Sequence, residues 1–232
     1  MNLIISITYL LFIFVITIIV YKYFGKVGLF LWIAINLIVC NIQSIKTIEF
    51  FGQTLSLGNI SYSAVYLSTD ILNEKYWVKE ANKSVYIGFF TIIIFTVMMS
   101  TTLLFIPSDN DVSQKSLVAI FSLLPRISIA SLMSYFVSQL IDVYIYNKLK
   151  EKNAQLWVKN NISTIISQLI DSILFVNIAF LGIFKMNEII SLILTMCIFK
   201  IVLALIDTPF MYIASLSKCK DELDKIGDNL WQ

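Results

Sequence analysis

Asp70, Arg126, Asp142, Asp171, Lys200 and Asp207 stand inside long apolar runs of this sequence. A carboxylate in such a place can accept hydrogen bonds from a polar solute or exchange a proton, and a buried Lys or Arg can hold it ionised. A charge at mid-membrane costs at least about 2.5–3.5 kcal/mol, so it faces a partner or a wet cavity. Interhelical ion pairs that merely hold helices together are the structural alternative for any one of them. The chain has no His, which removes the Ser–His pair, the His-ligated zinc site and the commonest proton shuttle. Cys40, Cys197 and Cys219 are scattered and form neither a disulfide framework nor a metal-ligand spacing.

Helical periodicity gathers these residues into stripes. Tyr62, Tyr66, Asp70 and Glu74 recur at i, i+4 and form one face of two rings and two carboxylates. Ser128, Ser131, Tyr135, Gln139 and Asp142 fall in a second narrow sector, and Asn160, Thr164, Ser167 and Asp171 in a third. Lys200, Ala204, Asp207 and Met211 make the fourth. A straight helix points Arg126 roughly 160° away from the Tyr135–Asp142 face. Pro125 is expected to kink that helix and re-aim the guanidinium. A short echo joins two of the stripes: residues 134–142 read SYFVSQLID and residues 163–171 read STIISQLID. Repeated halves meeting at a central site are a transporter device, although nine residues do not establish duplication.

The elements that must carry these stripes are membrane helices. Of 232 residues 58% are hydrophobic and only 14% charged, against roughly 25% charged in soluble domains. Mean hydropathy is +0.83, and the apolar runs of roughly 20 residues match the span of a bilayer. A net charge of +2 gives no reason to expect nucleic-acid binding. The expected spans are 2–21, 27–45, 58–77, 85–106, 117–147, 160–184 and 187–215. The first lacks a basic n-region and a cleavage site, so it reads as a span and not a signal peptide. Seven crossings place Lys22, Lys26, Lys75, Lys79, Lys83, Lys148, Lys150, Lys152, Lys159, Lys218, Lys220 and Lys225 on one side. Only Lys46, Lys115 and Lys185 fall on the other, an asymmetry that puts the N-terminus outside and the C-terminus in the cytoplasm. If 58–77 did not cross, that asymmetry would collapse.

Four blocks carry a family resemblance: YLSTDILNEKYW at 66–77, RISIASLMSYFVSQLIDVYIYNKLK at 126–150, STIISQLIDSILFVNIAF at 163–180, and FK at 199–200 followed by TP at 208–209. Together they resemble the queuosine precursor transporters, also called the vitamin uptake transporter family. The resemblance implies an all-α polytopic membrane bundle with a six-helix core over 27–216. It makes 1–26 an additional N-terminal transmembrane helix and loop, and 217–232 a cytoplasmic tail. Trp77 departs from the pattern, since a Gly is expected there.

The implied cargo is a queuosine precursor, 7-cyano- or 7-aminomethyl-7-deazaguanine or queuine, imported across the bacterial cytoplasmic membrane for tRNA modification. Such a base offers two adjacent donors to a carboxylate, a carbonyl to a cationic or amide donor, and flat faces to aromatic rings. Asp171 or Asp70 would then grip the donor edge and Gln139 and Gln168 the remaining edge. Tyr62, Tyr66 or Tyr135 and Phe175 would bound the ring, with Lys200 and Arg126 holding the acids ionised. Glu74, Asp142 and Asp207 are assigned structural or coupling roles. The expected partners are the deazapurine and the lipid bilayer, with no direct nucleic-acid contact and no cofactor or metal; a homodimer is allowed but not specified. Two other classes are weighed. An intramembrane aspartyl enzyme lacks a GxGD-type motif, so no enzyme is expected, and a substrate-binding subunit would need a separate ATP-driven module, as no GxxxxGK[ST] loop is present.

Overall fold

The computed structural model describes residues 2–50, 53–121, 125–182 and 185–219, with the side chains of 47, 49–50, 53–55 and 125–128 left aside. Among the described residues the chain forms α1 (Asn2–Gln43), a ribbon of β1 (Thr47–Phe50) and β2 (Gln53–Ser56), α2 (Gly58–Tyr76) and α3 (Val78–Thr102). Then come α4 (Gln114–Phe121), α5 (Pro125–Glu151), α6 (Leu156–Phe180) and α7 (Met186–Leu216). The all-α polytopic bundle read from the sequence is what forms, with helices α1, α3, α5, α6 and α7 each long and apolar enough to cross a membrane.

Helix α1 is two antiparallel arms. Gly25 breaks the helical backbone at φ 54°, ψ −139°. Trp32 Nε1 then donates to Thr17 Oγ1 at 2.8 Å, and Gln43 Nε2 to the Tyr9 hydroxyl at 3.0 Å. Residues so far apart in sequence meet only if the chain doubles back, so 2–21 and 27–45 are separate passes. Helix α2 is the least apolar pass because protein, not lipid, surrounds it: nearly all of 58–73 is buried. Its 19 residues extend about 28 Å at 1.5 Å per residue, enough for a seventh crossing.

The lysine-rich connections converge at one end of the bundle. Lys26 pairs with Glu80 at 3.4 Å, Lys75 donates to the Ser217 carbonyl at 3.1 Å, and Lys150 caps α2 through the Asn73 and Glu74 carbonyls at 2.6 and 2.7 Å. Cations placed on the last carbonyls of a helix also complement its dipole.

The expected fifth span from 117 is covered by α4 to Phe121 and by α5 from Pro125, and the join before Pro125, where a kink is expected, lies outside the described residues. Between the expected spans 27–45 and 58–77 the chain pairs as an antiparallel ribbon with Thr47 opposite Ser56 and Phe50 opposite Gln53. Thr, Ile, Phe and Leu in that stretch favour a pleated strand, a signal easily hidden between apolar helices. Lys159, counted among loop cations, lies on α6 and is only 7% exposed.

Trp77 joins α2 to α3 directly, at φ 79°, ψ 158°, a region open in practice to glycine alone. The departure from an expected Gly therefore falls where a Cβ is most strained. The indole is largely exposed, with Lys150 Nζ 5.7 Å from its ring. Trp77→Gly should raise stability by about 1 kcal/mol, the relieved strain of ~1–3 kcal/mol exceeding the lost stacking and the added chain entropy. Thermal unfolding in detergent reads the shift.

Gly88 lets α3 approach α1 and α5. A Cβ there would collide with the Tyr135 hydroxyl and come within 2.5 Å of Leu37 Cδ1. Gly88→Ala should cost about 1–3 kcal/mol and displace the Tyr135 ring, measurable as lower thermal stability together with weaker substrate uptake.

Candidate functional site

Three polar layers lie one or two helical turns apart along the centre of the bundle, each built from α2, α5 and α6, with α7 contributing to the first two. Every stripe predicted from spacing faces inward where its side chains are described: Tyr66, Asp70, Tyr135, Gln139, Asp142, Asn160, Thr164, Ser167, Asp171, Lys200, Ala204, Asp207 and Met211 are all buried. Apolar residues cover the lipid-facing side of the same helices, such as Ile198, Val202 and Leu205 on α7. That partition is what a polar stripe on a membrane helix requires.

The first layer centres on Asp171, which is 5% exposed. Lys200, reaching across from α7, forms a hydrogen-bonded ion pair with its Oδ2. The other oxygen, Oδ1, accepts from the Tyr62 hydroxyl at 3.3 Å and from Ser138 Oγ at 3.2 Å. Tyr66 donates to Ser138 at 3.0 Å, which aligns that serine for Asp171. Lys200 Nζ also sits 5.7 Å from the Tyr62 ring centre. The Tyr62 ring stands edge-on to Tyr66 at 5.3 Å and tilted against Tyr135 at 6.2 Å, so three phenols wall one side. Tyr135 is anchored by its hydroxyl on the Val85 carbonyl at 3.3 Å.

Two glutamines border this layer with unused hydrogen-bonding capacity. Gln139 is wholly buried and neither its amide nitrogen nor its carbonyl oxygen has a partner; the Gln168 carbonyl oxygen is likewise buried and unpartnered. Gln139 follows Ser138 in the chain, and Gln168 lies one turn before Asp171. Leaving such groups unpaired costs ~1–3 kcal/mol apiece, which a folded core ordinarily avoids.

The second layer holds Asp70, Asp142 and Asp207. Asp142 accepts from Ser167 at 2.9 Å, Asp70 from Thr164 at 3.3 Å, and Asp207 from Asn160 Nδ2 at 2.6 Å. The third layer is Glu74, bound by Lys159 through both carboxylate oxygens at 2.9 and 2.8 Å. Tyr146 adds a bond to it at 3.2 Å and Lys150 a longer approach at 3.8 Å.

Asp70 and Asp171, alternatives for one role in the sequence reading, thus occupy different layers. Phe175 lies one turn beyond Asp171 and packs edge-on against Phe180 at 6.2 Å, apart from the tyrosine cluster. The Arg126 side chain falls outside those described.

The residue that spacing missed is Ser138, and the echo could have found it. Ser138 and Asp142 of the first SQLID correspond to Ser167 and Asp171 of the second. Across the antiparallel α5–α6 pair, Ser138 bonds Asp171 and Ser167 bonds Asp142. Each copy thereby supplies the hydroxyl for the other copy's carboxylate, a local two-fold pattern. The two acids differ in one respect: Asp171 has Lys200, while among the described residues no cation pairs with Asp142.

The family described as "Putative vitamin uptake transporter" matches residues 56–214, from the end of β2 nearly to the end of α7. A "Probable queuosine precursor transporter" of Bacillus subtilis (strain 168) is 40% identical over 212 residues, covering 90% of this chain and 93% of its own. A protein of the same name from Haemophilus influenzae (strain ATCC 51907 / DSM 11121 / KW20 / Rd) is 28% identical over 123 residues, 53% of this chain and 51% of its own. No solved structure matches the chain. The layered polar interior inside apolar helices and these similarities agree: the chain is a multi-pass membrane protein that belongs to the vitamin uptake transporter family.

Proposed function

We propose that this transporter imports a queuosine precursor base, 7-cyano- or 7-aminomethyl-7-deazaguanine or queuine, across a bacterial cytoplasmic membrane, with the Asp171 layer as the binding site. The observation that carries the reading is the unpartnered Gln139 amide and Gln168 carbonyl oxygen, both buried, on the helices that carry a carboxylate–ammonium pair and three phenol rings. A planar base rich in donors and acceptors supplies what those glutamines lack. The Tyr62 and Ser138 hydroxyls stand on Asp171 where the N1–H and 2-amino donors of a deazaguanine would arrive. A carboxylate has about four acceptor positions, so Lys200 can stay on Oδ2 while the base's donors displace the hydroxyls. Gln139 and Gln168 then meet the remaining edge, and Tyr62, Tyr66 and Tyr135 bound the ring. Phe175, one turn beyond Asp171, borders the site on α6, Glu74 with Lys159 closes the opposite end, and Arg126 keeps the role of holding the acids ionised that the family resemblance gives it.

The lysine-rich end of the bundle supports a cytoplasmic C-terminus and an outside N-terminus by the positive-inside rule. In the same reading residues 1–26 are an addition to a six-helix core over 27–216, followed by a tail from 217. The deciding experiment is complementation of a bacterium that can neither make nor import queuosine precursors, with each base supplied and queuosine assayed in tRNA. Queuosine in tRNA with at least one base is the expected result; none with any base, despite expression in the membrane, overturns the assignment.

Two sets of variants separate binding from folding. Gln139→Leu removes a buried amide that makes no bond, so stability should hold or rise while uptake falls at least tenfold; an equilibrium unfolding measurement beside the uptake assay checks both. Lys200→Met leaves Asp171 buried without its cation and should cost about 3–5 kcal/mol, most of it regained in Asp171→Asn/Lys200→Met, with uptake lost in both. Thermal denaturation and labelled-base uptake distinguish these outcomes.

A further inference from the structure

The second layer has a chemistry that the binding site leaves unused. Asp70, Asp142 and Asp207 are each at most 1% exposed, and among the described residues no cation pairs with any of them. Thr164 and Ser167, one turn apart on α6, donate to Asp70 and Asp142 respectively, which draws the two carboxyls to the same face of that helix. Yet Asp70 Oδ1 and Asp142 Oδ2 have no donor, and neither does the carbonyl oxygen of Asn160, itself wholly buried against Asp207. Every orphan in this layer is an acceptor. What the layer lacks is hydrogen.

Among the described residues no three or more Asp, Glu, Cys or His side chains are grouped to hold a metal ion. The echo supplies the contrast. Asp171 and Asp142 end the same SQLID motif and accept from reciprocal serines, but only Asp171 is matched by an ammonium. Two facing carboxyls without a cation are the arrangement that shares one proton.

The surroundings leave that role to the pair. Helix α2 brings Tyr66, bonded to Ser138, and Glu74, and α6 brings Lys159, which is committed to Glu74. Helix α5 adds Tyr146, also on Glu74, and α7 adds Asp207 and, one layer away, Lys200 on Asp171. Between Val27 and Gln43 the second arm of α1 has only the Cys40 thiol, and from Val85 onward α3 has only the Tyr86 phenol. In the first arm, Tyr9 is bonded to Ser61 and Tyr21 to the Ser217 carbonyl, at the two ends of the bundle.

We propose that Asp70 and Asp142, with Asp207 and Asn160 beside them, form a proton-binding site distinct from the Asp171 site, and that proton movement through it drives accumulation of the base. The coupling part rests on the transport reading above. Ser138–Asp171 and Ser167–Asp142 join the same two helices, so sliding α5 past α6 breaks both bonds at once and links occupancy of one site to the other.

The full chain, reconstituted in liposomes, tests this in two ways. Infrared spectra of the wild type at neutral pH should contain a deuterium-sensitive protonated-carboxyl band that Asp142→Asn and Asp70→Asn remove. With the membrane potential clamped at zero, wild-type vesicles should accumulate labelled 7-aminomethyl-7-deazaguanine about tenfold per unit of pH gradient, acid outside, as one proton enters with each base. Asp142→Asn should bring that ratio to about one while it still exchanges internal for external base. Absence of the band in the wild type, or gradient-driven accumulation by Asp142→Asn equal to wild type, overturns the proposal. A wild type that shows the band but exchanges none of the three bases retires the cargo assignment and leaves the proton site standing.

Discussion

A helix bundle in hydrocarbon cannot pass its buried polar groups to water, so every donor and acceptor inside must find a partner within the protein or its ligand. The arrangement of this chain follows from that constraint. Its inward-facing charges are sorted into layers in which serine, threonine and tyrosine hydroxyls, amides and two lysines distribute the bonds. The Asp171–Lys200 pair and the Glu74–Lys159 pair bracket a middle layer of acids. Helix α2 can be polar along most of its length because α1, α3, α5 and α7 enclose it. Among the buried groups left without a partner, those of Gln139, Gln168, Asp70, Asp142 and Asn160 lie on the helices of this central column.

The α5–α6 interlock gives that column its directionality. Two copies of one five-residue motif run antiparallel and satisfy each other, so the helices resist sliding unless both bonds break together. Lys200 then breaks the symmetry from outside the pair. A single lysine on α7 gives two similar carboxyls different surroundings: one bonded to Lys200, the other beside a second acid. Gly88 matters for the same column at a distance, since it sets how closely α3 presses the Tyr135 ring toward Tyr62.

Much of the interior was legible in the sequence. A 3.6-residue period placed Tyr66, Asp70, Gln139, Asp142, Thr164, Asp171, Lys200 and Asp207 on buried faces, and lysine counting recovered a central pass too polar for hydropathy alone. Spacing within a helix says nothing about register between helices, and that is where the reading was incomplete. It offered Asp70 and Asp171 as alternatives for one role, although they lie in different layers. It missed Ser138, whose importance comes from facing Asp171 on another helix, and took Lys159 for a solvated loop cation because its partner Glu74 is far away in sequence.

The sequence by itself determined the class of protein, the end at which the cations collect and the face that the polar stripes turn inward. These depend on local composition and helical period, which a bilayer reads one segment at a time. Tertiary structure alone decided which acid met the cation, which serine met which acid, and that Trp77 occupies a backbone conformation suited to glycine. Those outcomes depend on the relative rotation and depth of neighbouring helices, where about one residue of axial slip moves a carboxylate roughly 1.5 Å and changes its partner.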